Sequence, residues 1–164
     1  MNTLRNKNKA GFTLIELLVV IAIIGLLASV VLLALNGARQ KSRDAKRLAD
    51  VRQIASAMEL FFNDVSAYPS AGYSSAQTFG SADTSAYNPS GTKILLTPTY
   101  IGLIPTAPLP QDGNCTTAQN SYGYQASNTG NTYTLTFCLG ASTGGYTCPA
   151  SGACTHTLTP AGIQ

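Results

Sequence analysis

The hydrophobic pattern changes character twice along the first 65 residues. From Leu17 to Leu35 run nineteen residues in which Ser29 is the only polar one. As a helix rising ~1.5 Å per residue, the run spans about 28 Å, close to the ~30 Å hydrocarbon core of a bilayer. A cleaved secretory signal has an apolar region of only ~7–15 residues, followed by a small-residue cut site. This run is longer and no such site follows it, so the segment is expected to stay in the membrane. Beyond it the pattern becomes periodic. Leu48, Val51, Ala55, Met58, Phe62 and Val65 recur at spacings of three and four, and Ile54 and Phe61 widen the stripe. That spacing predicts an amphipathic helix with one buried face. It is shorter than the ~3–4 heptads a coiled coil requires, so packing against a sheet is the expected use.

Asn36-Gly37 is a candidate break between the two helical halves, because Gly costs ~1 kcal/mol in a helix and Asn-Gly favours turns. The helix should end before Ala67-Tyr68-Pro69, since the residue preceding a proline is pushed out of the helical region. Residues 66–92 show no period and read as a long surface loop with at most a short element. Alternation returns at Thr132–Leu139. Tyr133, Leu135, Phe137 and Leu139 face one way, and Thr132, Thr134, Thr136 and Cys138 the other. Tyr122–Gln125 is the expected antiparallel partner, joined through the turn Asn128-Thr129-Gly130-Asn131. The fold class is therefore α+β, with a long N-terminal helix, transmembrane then amphipathic, packed on a small antiparallel sheet head. The expected organisation is a basic leader at 1–11, a membrane helix at 12–35, its amphipathic continuation at 36–65 and a Ser/Thr/Gly-rich head at 66–164.

Charge follows the same division. Of the ten Lys and Arg residues, Arg5, Lys7 and Lys9 precede the apolar run, six lie in Arg39–Arg52 and only Lys93 comes later. Lys46 with Asp50, and Asp44 with Arg47, are helix-spaced pairs worth a few tenths of a kcal/mol each on a solvated face. The basic cluster Arg39–Arg47 fits such a face, with anionic headgroups as a second use. DNA is not supported as its partner, because no aromatic residue interleaves with these charges.

One acid breaks the apolar block. Glu16 lies immediately before Leu17, between Ile15 and Leu17. An acid in a first turn meets the positive end of the helix dipole, so a plain helix cap is one reading. The other requires a cationic partner, because a carboxylate near lipid is costly alone.

The segment Lys9–Ser29, reading KAGFTLIELLVVIAIIGLLAS, resembles the prepilin peptidase site of type IV pilins and type II secretion pseudopilins. The resemblance implies cleavage between Gly11 and Phe12 and N-methylation of the new Phe12 amine. It also implies pairing of Glu16 with that amine on a neighbouring subunit. Opposite charges in a low dielectric set register, since a misplaced copy leaves both unpaired. Gly25 and Ser29, four apart, are a small-xxx-small pair of the kind that lets helices approach, or ordinary scatter of small residues. Type IV pilins often carry a proline further along this segment, whereas here none occurs before Pro69. Tyr68-Pro69 and the apolar stretch Ile94–Pro105 are similar to segments of the same family.

The implied protein is a homo-oligomeric filament subunit that meets a prepilin peptidase and a membrane assembly platform. Its precursor would cross the inner membrane once with an extracytoplasmic head, and the assembled form would be a cell-surface filament or a secretion pseudopilus. A bare count of flanking basic residues favours the opposite orientation. The leader implied by the resemblance and the cysteines both overrule that count.

Cys115, Cys138, Cys148 and Cys154 all lie in the C-terminal third. An even number in such a head reads as disulfides formed outside the cytoplasm. Of the three pairings that four cysteines allow, Cys115–Cys138 and Cys148–Cys154 are favoured. The first ties the segment before the hairpin to its second strand, and the second closes a local loop. A metal site of Cys148, Cys154 and His156 is the alternative, but C-x5-C with a single His departs from zinc-finger spacing. Heads of the resembling family can hold calcium. Asp112 and Asn114 are too few oxygen donors for an ion that takes ~6–8, so no metal and no cofactor are expected. With one His and no phosphate-cradling Gly pattern, no catalytic set is present and an enzyme is not expected.

Overall fold

The computed structural model describes residues 11–70, 75–80, 84–87 and 91–164. One helix, α1, runs from Leu14 to Val65. Among the described residues seven strands follow: β1 (Gln77–Thr78), β2 (Ser85–Tyr87), β3 (Lys93–Leu95), β4 (Gly123–Ala126), β5 (Tyr133–Leu139), β6 (Cys154–Thr159) and β7 (Gly162–Ile163). They form an antiparallel five-stranded sheet in the order β1-β4-β5-β6-β7 and a separate β2-β3 pair. The chain divides into two compact units, one ending at Ala38 and the other spanning Arg39–Gln164.

Asn36-Gly37 does not break the helix. A penalty of ~1 kcal/mol for one glycine is small beside the continuous hydrogen-bond ladder, and a Cβ at Gly37 would meet nothing within 4 Å. The helix ends at Val65 with Ser66 in a left-handed conformation at φ 59°, its N–H donating to the Phe62 carbonyl at 2.7 Å. This is the position where a glycine usually stands.

Within the second unit, Leu48, Val51, Ile54, Met58, Phe61 and Val65 are buried, with Ala57 beside them. Ala55 and Phe62, placed in the stripe from spacing, lie at its half-buried margin. The opposing layer is the inner face of β5, where Tyr133, Leu135, Phe137 and Leu139 are all buried. Gly123↔Thr136 through Ala126↔Tyr133 fixes the β4–β5 register, as the alternation in β5 predicts. The turn between them needs Gly130, whose φ is +70° and whose Cβ would sit 2.9 Å from the Tyr68 carbonyl oxygen. Tyr68 in turn stacks on Phe62 and meets Tyr133 edge-on, each at 4.6 Å between centroids. Its hydroxyl donates to Glu59 at 3.0 Å, and burial, with that bond, pushes its pKa up to about 12.

Strand β6 escaped the sequence reading, although it pairs with β5 from Leu135↔Leu158 to Leu139↔Cys154. Its sequence, CTHTLT, contains only one large aliphatic residue, so alternation there is faint. The supposed loop at 66–92 also contributes strands β1 and β2, too short to show a period.

The largest departure from expectation concerns charge. Asp44 and Arg47 are 0% exposed rather than solvated. Arg47 Nη1 donates to Asp44 at 2.7 Å and to Asp112 at 3.2 Å, and Nη2 to Asn120 at 2.7 Å and the Pro108 carbonyl at 3.2 Å. The second Asp44 oxygen and the first together accept from the backbone N–H groups of Ala141 and Gly140 at 3.0 and 2.8 Å. Arg43 forms a two-pronged ion pair with Asp112, whose carboxyl is thereby held below the usual carboxylate range. Asp50 accepts from the Tyr122 hydroxyl at 2.8 Å, and no Lys46–Asp50 ion pair forms among the described residues. Of the basic cluster, Arg39, Lys41 and Lys46 remain exposed, as a solvated face requires.

Candidate processing and assembly site

In the first unit, the helix begins at Leu14, with Thr13 in the capping position before it. Thr13-Leu14-Ile15-Glu16 is a capping box: the side chains at its two ends satisfy each other's backbone donors. Glu16 Oε2 accepts from the Thr13 N–H at 2.9 Å and from the Thr13 hydroxyl at 2.7 Å. The Glu16 N–H donates to Thr13 Oγ1 at 3.3 Å. Within one chain Glu16 is thus a helix cap, and Thr13 is the partner the sequence reading passed over. The signal was present, because T-x-x-E before an apolar run is a recognisable helix start.

Both described bonds from Thr13 reach the same carboxylate oxygen, Oε2. Gly11 and Phe12 lie ahead of the helix, Phe12 is 88% exposed, and a Cβ at Gly11 would meet nothing within 4 Å. Both residues are therefore exposed ahead of the helix. From Phe12 through Arg39 every side chain is exposed. One helix window reaches a mean hydropathy of 3.2 with none of it buried, so its length and composition suit a membrane crossing. Gly25 stands in open space and the Ser29 hydroxyl donates back to the Leu26 carbonyl at 2.7 Å, leaving a smooth, small-residue strip on the helix.

In the head, the structure joins Cys115 to Cys138 and Cys148 to Cys154. His156 Nε2 lies 3.4 Å from Cys154 Sγ. Asp112 is engaged by Arg43 and Arg47, and the Asn114 amide donates to the Gly152 carbonyl at 3.0 Å. The two oxygen-bearing residues weighed for calcium therefore serve separate partners.

Residues 6–32 match the prokaryotic N-terminal methylation motif. Type II secretion system core protein G of Klebsiella michiganensis is 39% identical over 66 residues, which cover 40% of this chain and 46% of that protein. The same-named protein of Pectobacterium carotovorum is 42% identical over 60 residues, covering 37% and 38%. That of Escherichia coli K12 is 41% identical over 59 residues, covering 36% and 41%. The N-terminal segment carries this methylation motif and is similar to the corresponding part of type II secretion system core protein G. In these comparisons the chain spans less than half the length of the curated relatives it matches. No solved structure matches it. Gly11, Phe12 and Glu16 all fall inside the matched motif of this pilin-like N-terminus, and Thr13 falls there with them.

Proposed function

We propose that the chain is a structural subunit of a type IV pilus or pilus-like filament. A prepilin peptidase cuts between Gly11 and Phe12, the new Phe12 amine is methylated, and the helix beginning at Leu14 polymerises the product. The observation that carries this reading is the uncovered apolar helix with a single carboxylate at its start. Such a surface needs hydrocarbon or other copies of itself around it. Before assembly the bilayer covers it, and after assembly neighbouring helices do.

Cleavage creates an ammonium four residues before Glu16. The capping box engages Oε2, and the carboxylate keeps lone pairs on Oε1 for a donor from a second copy. Cap and intersubunit pairing are therefore compatible rather than competing. A membrane-anchored domain that never polymerises would use the cap and have no use for the cut. Electron microscopy of surface filaments, followed by mass spectrometry of their subunit, tests the proposal. The assembled chain should begin at N-methylated Phe12, and assembled subunits retaining Met1–Gly11 would refute the processing.

A second reading, the major subunit of a type II secretion pseudopilus, is favoured by the names of the relatives. Deleting the gene separates the two. Loss of surface filaments supports the pilus, whereas retained filaments with loss of exported folded proteins support the pseudopilus.

A further inference from the structure

The C-terminal disulfide sits against the chain's single histidine. Cys154 and His156 are two residues apart on β6, so both side chains project from the same face of the strand. Cys148 is brought to them by the short loop in which Thr143 bridges Tyr146, and its N–H donates to the Ser142 hydroxyl at 2.9 Å. The imidazole is set by the rings of Tyr146 and Phe137, with centroids at 5.4 and 5.8 Å. Cys148 Sγ, Cys154 Sγ and a His156 ring nitrogen all lie within 4.8 Å of one another.

We propose that this cluster is a thiol-gated zinc site, closed by the disulfide in the oxidised chain and open to one Zn2+ when reduced. A tetrahedral zinc with bonds of about 2.3 Å to sulfur and 2.0–2.1 Å to nitrogen places sulfur and nitrogen about 3.5 Å apart. Cys154 Sγ and His156 Nε2 already stand at 3.4 Å. Two sulfurs and an imidazole are a borderline-soft donor set, suited to zinc and not to calcium or magnesium. Charge points the same way. Residues 113–164 contain no Asp, Glu, Lys or Arg, and two thiolates neutralise the divalent ion without help. Cys148 and His156 are half-buried, which leaves the fourth position open to water.

The chemistry balances with a dithiol reductant. Its two thiols supply two electrons and two protons, the Cys148–Cys154 bond breaks, and the reductant leaves as a disulfide. Zinc then displaces the two thiol protons to solvent. Reoxidation by exchange with another disulfide re-forms the bond and releases the ion.

The test uses the full chain in detergent micelles, reduced with a phosphine and freed of it under inert gas. Added Co2+ should bind once per chain with thiolate-to-cobalt charge-transfer absorption, and Zn2+ should displace it. Alkylation mapped by mass spectrometry should show Zn2+ protecting Cys148 and Cys154 while Cys115 and Cys138 are modified. His156→Ala should weaken binding at least about tenfold, the scale on which even outer-shell changes act. A Cys115→Ser/Cys138→Ser variant should bind unchanged. Protection of no cysteine, equal protection of all four, or unaltered affinity in His156→Ala would overturn the proposal and leave the bridge an ordinary disulfide.

Discussion

Glu16 and Asp44 belong to the same helix and satisfy the same kind of group in opposite ways. Glu16 begins a stretch whose side chains are all exposed, and its described partners come from Thr13 alone, three residues away. Asp44 is wholly buried and takes its partners from Arg47 and from the backbone at Gly140 and Ala141, nearly a hundred residues on. The first acid is solved locally and retains capacity for something outside the chain. The second is saturated by the fold. A carboxylate's position in the sequence says little by itself, and what matters is whether the chain supplies every partner it needs.

The largest expected effect comes from separating the cap from the charge at Glu16. Glutamine can serve a capping box nearly as well as glutamate but carries no charge. If assembly depends on an ion pair between copies, Glu16→Gln should abolish filaments as completely as Glu16→Ala, with cleavage after Gly11 largely intact in both. Filaments restored by Gln but not by Ala, counted by electron microscopy, would show that the cap is the whole role.

The matching experiment in the head removes Arg47. Arg47→Ala strands buried Asp44 without its cation, a change that costs about 3–5 kcal/mol when one partner of a buried pair is lost. Chemical denaturation of the chain in micelles should show that loss. Arg47→Lys should recover little of it, because one ammonium cannot replace a fork that reaches Asp44, Asp112, Asn120 and the Pro108 carbonyl.

This network also marks the limit of what the sequence made legible. The helix, the β4–β5 hairpin and its turn followed from periodicity, because alternating and three-four patterns record which side of an element meets the core. The i,i+3 spacing of Asp44 and Arg47 was visible too, but spacing cannot show that a loop carrying Asp112 and Asn120 will close over it. Burial of a charge is decided by partners distant in sequence. Strand β6 was missed for a related reason, since threonines alternate with Cys, His and Leu there and leave little hydrophobic contrast. At the N-terminus the residues of the cleavage and methylation motif are readable as a resemblance. The role of Thr13 follows from physics alone, because T-x-x-E is a capping-box pattern.

Acid and alkali should act on the head through different groups. The Asp112 carboxyl is lowered, first by its bond with Arg43 and then by Arg47, so it binds protons less readily folded than unfolded. Its stabilisation is therefore present above the ordinary carboxylate range and is lost as pH falls below it. Tyr68 is raised from 10.0 to about 12, and burial shifts Tyr122 and Tyr133 upward as well. The unfolded chain loses those protons first, so stability is complete below about pH 10 and declines above it. Denaturation midpoints measured against pH should fall in both windows, and tyrosinate absorbance should rise together with unfolding in the upper one.

The smallest effect is expected at the helix end. Ser66 holds a left-handed conformation that costs an ordinary residue roughly 1–2 kcal/mol, of which glycine's extra unfolded-state entropy offsets about 0.5–1. Ser66→Gly should raise the midpoint slightly, and a lowered midpoint would mean that the serine side chain contributes more than its backbone strain removes.

The outer strands of the five-stranded sheet, β1 and β7, are two residues long. Unpaired peptide groups along a sheet's margin invite another chain to add itself, and stubby margins offer almost nothing to add to. If copies assemble through their helices as proposed, the margins of this sheet would give little templating between them. The apolar helix offers exposed surface to neighbours, whereas the margins of this sheet offer almost none.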